Sequence, residues 1–388
     1  LAFGPSGCED AVRDIIIEQI KGDCDAYTVD KAGNLIAVIR GRGLDYDREN
    51  PRRIMLSAHM DEVGFMIRDI TEEGYLKFGL VGGMDPRVLC GRHVIVGDKQ
   101  KLHGVIASKA IHLQSAEERT KATPVKSMYI DIGAKDREEA KKHVSVGDYA
   151  TFDSDFVTFG KDGCMMKGKA LDDRAGCALL IEIMRNLHRE PCNLPFDVCF
   201  AFTCCEEVGI SGANVAAFGI QPDTAIILEA TAVNDLPGAG RNFVSKQGEG
   251  GTLSLCDRGT IYDMGFINYA RQTAEQKELL RQLDDSLDNK STPKGKKFFE
   301  TLKDFFCSLE NDGSTKDLYP LVSVLSDKNG CKVMRVRNKN IKKVLQAPLF
   351  SPAEPFILHI YSLFISFPAL FLPKNSNSIA SKSKVGSK

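Results

Sequence analysis

The pattern of apolar and polar positions changes texture several times along the chain. From Glu9 to Lys21 the apolar residues fall on one side of a helical period, which predicts an amphipathic helix. Asp30-Lys31-Ala32-Gly33-Asn34 then supplies a turn between two apolar runs, a hairpin signal. Arg53 to Ala58 (RIMLSA) is a short apolar run of the kind buried on both faces of a parallel sheet, and it ends at His59-Met60-Asp61-Glu62. Between Arg68 and Phe159 the runs YLKFGLVGG, HVIVGDKQKLHGVIAS, SMYIDIGA and VSVGDYATFD are short, alternating and punctuated by glycine. They predict a small β-barrel or sandwich. Helical spacing returns from Gly168 to His188, with Ala175, Leu179, Leu180 and Ile183 in register. Val198 to Cys205 and Thr224 to Glu229 read as two more buried strands.

Strands alternating with helices imply an α/β core with a mostly parallel sheet, interrupted by the all-β stretch. The expected division is a discontinuous α/β domain (1–67 and 160–275), an inserted β domain (68–159) and a divergent, Lys-rich C-terminal region (276–388). The Ser/Lys tail from Asn375 to Lys388 has a disordered composition. Phe356 to Leu372 is apolar but contains His359 and Pro368 and is short for a membrane span, so no membrane partner is expected.

Composition narrows the function classes. With 43% hydrophobic and 27% charged residues the chain is globular, and a formal net charge of -1 leaves no electrostatic footprint for nucleic acid. Its 12 cysteines form no CxxC pair, and Cys177, Cys199, Cys204 and Cys205 lie in apolar or small-residue runs. They read as buried free thiols in a reducing, cytoplasmic setting rather than a disulfide framework. The start, LAFGPSGCEDAVRD, shows no basic region with an apolar stretch after it, and it lacks a methionine, so a fragment is expected.

Four polar clusters fall at the C-terminal ends of the expected strands or in the loops after them: His59-Met60-Asp61, Leu171-Asp172-Asp173-Arg174, Cys204-Cys205-Glu206-Glu207 and Leu228-Glu229-Ala230. That edge is where open α/β sheets bind ligands. Acidic strand ends taken singly are often caps or solvated loops. Together, and with a histidine among them, they suit divalent Zn, Co or Mn. Two such ions about 3.5–4 Å apart can share a carboxylate and activate a water. Residues two apart on a strand share a side, so His59 can ligate while Asp61 orients its imidazole. Of the adjacent Glu206 and Glu207, one can ligate while the other acts as general base.

SAHMDEVGFMI, KALDDRAGCALL, FTCCEEVGISGA, AIILEATAVNDLPG and DRGTIYD occur in order, and with them the chain resembles the tetrahedral (TET-type) co-catalytic metallo-aminopeptidases from Leu1 to about Glu275. That family includes glutamyl and deblocking aminopeptidases and proteins once labelled endoglucanases. The resemblance implies a zinc-exopeptidase-like α/β/α core with an inserted small β-barrel or sandwich domain used in assembly. It further implies a homo-oligomer, from dimer to dodecamer, and peptide substrates with a free N-terminus cleaved by dimetal-activated water. Carried over by motif, His59 and Glu229 bind the first of two divalent ions, Asp172 bridges both, and Glu207 binds the second. Glu206 is then the general base, with Asp61 beside His59 counted in the catalytic set. Asp173 is structural, next to an unusual peptide bond; Asp235 is a loop residue; Asp257-Arg258-Gly259-Thr260 shapes the site.

The resemblance stops short of the family's usual ending. The Gly-Gly-x-Asp-Ala loop and the His-Ser-Pro motif, whose histidine completes the second metal site, are missing, and the only later histidine is His359. Divergence into a relative without turnover, acting in binding or assembly, and a frameshifted or chimeric reading of the gene both fit that loss. A glycoside hydrolase with two carboxylates is the remaining rival; it gives His59 no task.

Overall fold

The computed structural model describes residues 1–161, 165–189, 193–232, 251–256, 260–276, 320–327 and 330–337, the last three positions before 277 and everything after it by backbone alone. Helix α1 (Asp10–Ile20) opens the chain and turns Val12, Ile16 and Ile20 inward. Strands β1 (Ala26–Val29) and β2 (Leu35–Ile39) form the expected hairpin, antiparallel with Val29 opposite Leu35. A link this short cannot join parallel strands. β3 (Arg53–His59) follows.

Six strands then close a barrel in the order β4-β5-β8-β7-β6-β9. They are β4 (Gly64–Ile70), β5 (Leu76–Val81), β6 (His93–Val96), β7 (Leu102–Ala107), β8 (Tyr129–Asp131) and β9 (Tyr149–Phe152). Two short helices lie between them, α2 (Ala116–Thr120) before β8 and α3 (Arg137–Lys141) after it. The barrel has its own core, in which Phe65 meets Phe78 and Phe152 edge-on at centroid distances of 5.1 and 5.2 Å. Closure leaves no strand edge for aggregation. A hairpin of β10 (Val157–Phe159) and β11 (Met165–Lys167) leads out of it.

α4 (Leu171–Arg189), β12 (Asp197–Thr203), α5 (Ser211–Ile220) and β13 (Thr224–Ile227) complete the second layer set, followed by α6 (Met264–Gln276). The core sheet runs β1-β2-β12-β3-β13, with β3 parallel to both β12 and β13 and β12 antiparallel to β2. The sheet is therefore mixed: a parallel centre with an antiparallel hairpin at one edge. Every residue of β12 is buried, because the sheet is covered twice. Val198, Phe200 and Phe202 pack with α1, α4 and Ile267 of α6, while Cys199 and Ala201 pack with Ala216, Ala217 and Ile220 of α5. This is the expected α/β/α arrangement with a small barrel inserted. β14 (Pro320–Asp327) and β15 (Gly330–Arg337) form a separate antiparallel hairpin. The apolar run from Phe356 to Leu372 and His359 lie outside the described residues. Among the described residues no helix is long and apolar enough to cross a membrane.

Candidate metal centre

Register decides what meets at the sheet edge. In β3, His59 pairs with Thr203 of β12, and Ser57 pairs with Ile227 of β13. The chain therefore leaves β12 into Cys204–Glu207 and leaves β13 into Leu228-Glu229 on either side of the His59 ring. α4 also contributes: Asp172 and Asp173 are non-helical at its start, with a cis peptide between them.

His59 is buried, and its Nε2 lies 3.0 Å from Asp172 Oδ1, 3.5 Å from Glu229 Oε1 and 3.9 Å from Glu206 Oε2. Nδ1 lies 3.1 Å from the Asp61 carbonyl oxygen and 3.4 Å from its Oδ1. Burial pulls the imidazole down, but hydrogen bonds to Asp172, Asp61 and Glu229 outweigh it and hold the ring protonated well above the usual histidine range. Asp61 also accepts from Ser6 Oγ at 2.6 Å and from the amides of Glu206 and Glu207 at 3.0 and 3.1 Å. Burial works against that carboxylate too, yet His59 and these donors keep it below the usual carboxylate range. So Asp61, on the loop after β3, fixes both the ring and the loop that carries Glu206 and Glu207.

The other carboxylates are under the opposite pressure. Burial raises Glu206, with the charges of Asp61 and Asp172 adding to it. Glu207 and Glu229 are each pushed up to about 7 by burial, with the charge of Asp172 adding. Among the described residues, His59 is the only basic group ion-paired with Asp172, Glu206 or Glu229. Carboxylates converging on one imidazole, without Lys or Arg among them, fit a divalent cation by their chemistry.

Donor atoms of His59, Asp172 and Glu207 all lie within 4.8 Å of one another, as do those of His59, Asp173 and Glu229. The two aspartates are not equivalent. Asp173 is 0% exposed, accepts from the amides of His59 and Gly176, and is raised well above the carboxylate range by burial. Asp172 keeps 54% of its side chain exposed. Asp172 is therefore the more open of the two to a cation, and Asp173 the more enclosed by hydrogen bonds.

The barrel reaches the centre at one point. A Cβ on Gly82, just past β5 and at φ +86°, would lie 3.1 Å from Glu207 Cβ and 2.8 Å from Val63. Only glycine lets the barrel rim approach this closely. Behind the centre, Glu62 Oε1 receives Lys169 Nζ at 2.5 Å and Arg174 at 3.0 Å. Lys169 also donates to Ala2 O and to Thr151 of β9, tying the N-terminal segment, barrel and core together. Ser6, Glu9, Glu62, Gly82, Lys169 and Arg174 had no assigned task in the sequence reading. For Glu62, Lys169 and Arg174 the available signal was charge inside otherwise apolar motif runs. Asp235 and Asp257 to Gly259 lie outside the described residues.

Fold and donor set together define a class: a three-layer α/β protein with a carboxylate–histidine centre of metal-binding composition at the C-terminal edge of its parallel strands. Residues 33–298 match the M42 glutamyl aminopeptidase family, and the chain belongs to that family. A relative in Acetivibrio thermocellus is 37% identical over 282 residues, covering 72% of this chain and 78% of the relative. Among solved structures, the TET aminopeptidase of a marine-sediment Thaumarchaeota archaeon superposes with a TM-score of 0.67 at 36% identity, over 71% of this chain and 76% of that one. The Pyrococcus horikoshii TET1 peptidase, described as assembling into a tetrahedron or a large octahedral shell, matches with a TM-score of 0.60 at 36% identity, over 71% of this chain and 78% of that one.

Proposed function

We propose that this chain is a metal-dependent aminopeptidase that removes N-terminal residues from peptides with a free α-amine, at a centre for two divalent ions. The observation that carries the reading is the convergence of Asp172, Glu206 and Glu229 on the buried Nε2 of His59 with no other basic partner among the described residues. His59, once a cation displaces its Nε2 proton, and Glu229 would hold one ion and Glu207 the other, with Asp172 shared. Divalent Zn, Co or Mn supplies Lewis acidity there, polarising the scissile carbonyl and acidifying the attacking water.

The protein's own groups do the rest. Glu206 is the general base: it is half-buried at the cleft, raised by burial, and aimed by the bond from its amide to Asp61. After the water's proton is taken, the same carboxyl can return it to the leaving amine. Asp61 holds the His59 ring from the Nδ1 side, which leaves Nε2 toward the ions. A bound cation would offset the burial and the Asp172 charge that raise Glu207 and Glu229, so both would ionise fully. The likeness to TET structures supports self-association, with the barrel, whose first strand β4 begins at Gly64 and not at residue 68, as the assembly module. Free cysteines among the described residues support work in a reducing, cytoplasmic compartment.

Purified chain would be equilibrated with excess Zn or Co, desalted and analysed for metal, then assayed on a free and an N-acetylated peptide. Two ions per chain, cleavage of the free peptide alone and full loss with a chelator are expected. One ion without turnover would leave a binding or assembly protein. Chelator-resistant hydrolysis would overturn the metal reading altogether.

A further inference from the structure

The loop carrying Glu206 and Glu207 begins with two adjacent cysteines that no step above uses. Successive strand residues normally point to opposite faces, but Cys205 leaves β12 at φ 54°. The Sγ atoms of Cys204 and Cys205 and a carboxylate oxygen of Glu9 consequently all lie within 4.8 Å of one another. Glu9 is 6% exposed, and its Oε1 accepts from the amides of Gly7 and Cys205 and lies 3.6 Å from Cys205 Sγ. Cys204 Sγ donates to Ala32 O at 3.0 Å, toward the β1–β2 turn.

Two thiols and one carboxylate are a softer donor set than the one around His59, and softness selects the ion. Free thiols are ordinarily protonated at neutral pH. A cation that replaces two protons at once gains from both sulfurs.

We propose that Glu9, Cys204 and Cys205 form a site for a soft, thiophilic divalent cation such as Cd2+, separate from the carboxylate–histidine centre and inhibitory to it. On binding, both S–H bonds give way to metal–sulfur bonds, two protons leave to water, and Glu9 adds its charge without a proton change. No oxidant is needed. Drawing Glu9 onto a cation competes with the Cys205 amide, and Cys205 is covalently next to Glu206. The inhibition rests on the proposed hydrolase reading; the binding does not.

The test uses the intact chain equilibrated with excess Mn2+, which prefers oxygen donors. Cd2+ is then titrated while thiolate-to-cadmium charge-transfer absorbance, proton release and peptide hydrolysis are followed in parallel. A charge-transfer band saturating at one equivalent with release of two protons is expected, and turnover should fall along the same curve. Cys205→Ala should weaken that binding by more than about tenfold, as should Cys204→Ala; Glu9→Gln, which keeps both thiols, should weaken it about threefold or more. If Cys204→Ala fails to fold, the half-buried Cys205 position and Glu9→Gln carry the test. A band that survives in Cys205→Ala and Glu9→Gln, or cadmium binding without a band, overturns the site, whatever the peptide assay shows. A band with no peptidase activity in any form would uphold the site and fail the hydrolase reading.

Discussion

Asp61 receives hydrogen bonds from Ser6 and from the amides of Glu206 and Glu207, and it faces the Nδ1 edge of His59. Asp61→Asn would turn an NH2 group toward one of those donors and loosen the ring and the catalytic loop together. Affinity for divalent ions should fall about 10- to 100-fold, read by equilibrium dialysis; unchanged affinity would remove Asp61 from that task. Glu206→Gln separates base from ligand. Hydrolysis should drop about 10²- to 10⁴-fold while both ions stay bound. An equal fall in metal content would make Glu206 a ligand instead. His59, Asp172, Glu206, Glu207 and Glu229 were legible in the sequence because each stands where an apolar run or helix meets a loop. Ser6, Glu9 and Glu62 were not. Their partners lie far along the chain, 55 residues for Ser6 with Asp61 and 107 for Glu62 with Lys169, and only the fold brings such pairs together.

At the scale of the element, β12 was the most readable strand and also the one whose perturbation tells most. Its unbroken apolar run follows from burial on both faces, and Phe200 has no exposed surface. Phe200→Ala should destabilise by about 3–5 kcal/mol in urea melts, with transfer and cavity terms both contributing. Cys199, on the opposite face, gives a pH signature. Burial pushes this thiol up to about 12 from an ordinary 9.0. The folded state then holds a proton that the unfolded state releases, so the contribution is intact below about pH 9 and is lost as pH rises toward 12. Between about pH 8 and about pH 10.5 the wild type should lose roughly 2 kcal/mol more stability than Cys199→Ala. Parallel pH profiles for the two proteins would disprove the shift. The sheet's direction was less readable than its strands. Apolar runs look alike in parallel and antiparallel pairs, and only the short β1–β2 turn showed where the sheet reverses.

At the scale of the whole molecule, a barrel with its own core is tied to the sheet by a buried charge cluster. The chain passes from β3 to β4 through Met60–Val63, so the same short stretch that supplies Asp61 also supplies Glu62 to the joint. Glu62 pairs with both Lys169 and Arg174 where all three are largely withdrawn from water, and Lys169 bridges onward to Thr151 of the barrel and Ala2 of the N-terminal segment. Burial already lowers Lys169, with Glu62 opposing that shift. Glu62→Ala leaves two cations facing each other without their counter-charge, which should cost about 3–5 kcal/mol. A merely local role would shift one cooperative transition downward. A joint of this kind should instead divide the melt, because the barrel keeps its own Phe65–Phe78–Phe152 core and can outlast the sheet. Two transitions by calorimetry in Glu62→Ala, against one in the wild type, are the expected outcome. A single lowered transition would mean that barrel and sheet are coupled through the close approach at Gly82 and the packed loops rather than through charge. Divalent ions should discriminate further: the groups that would hold them stand on β3, α4 and the loops after β12 and β13, so added ions should raise the sheet's transition more than the barrel's.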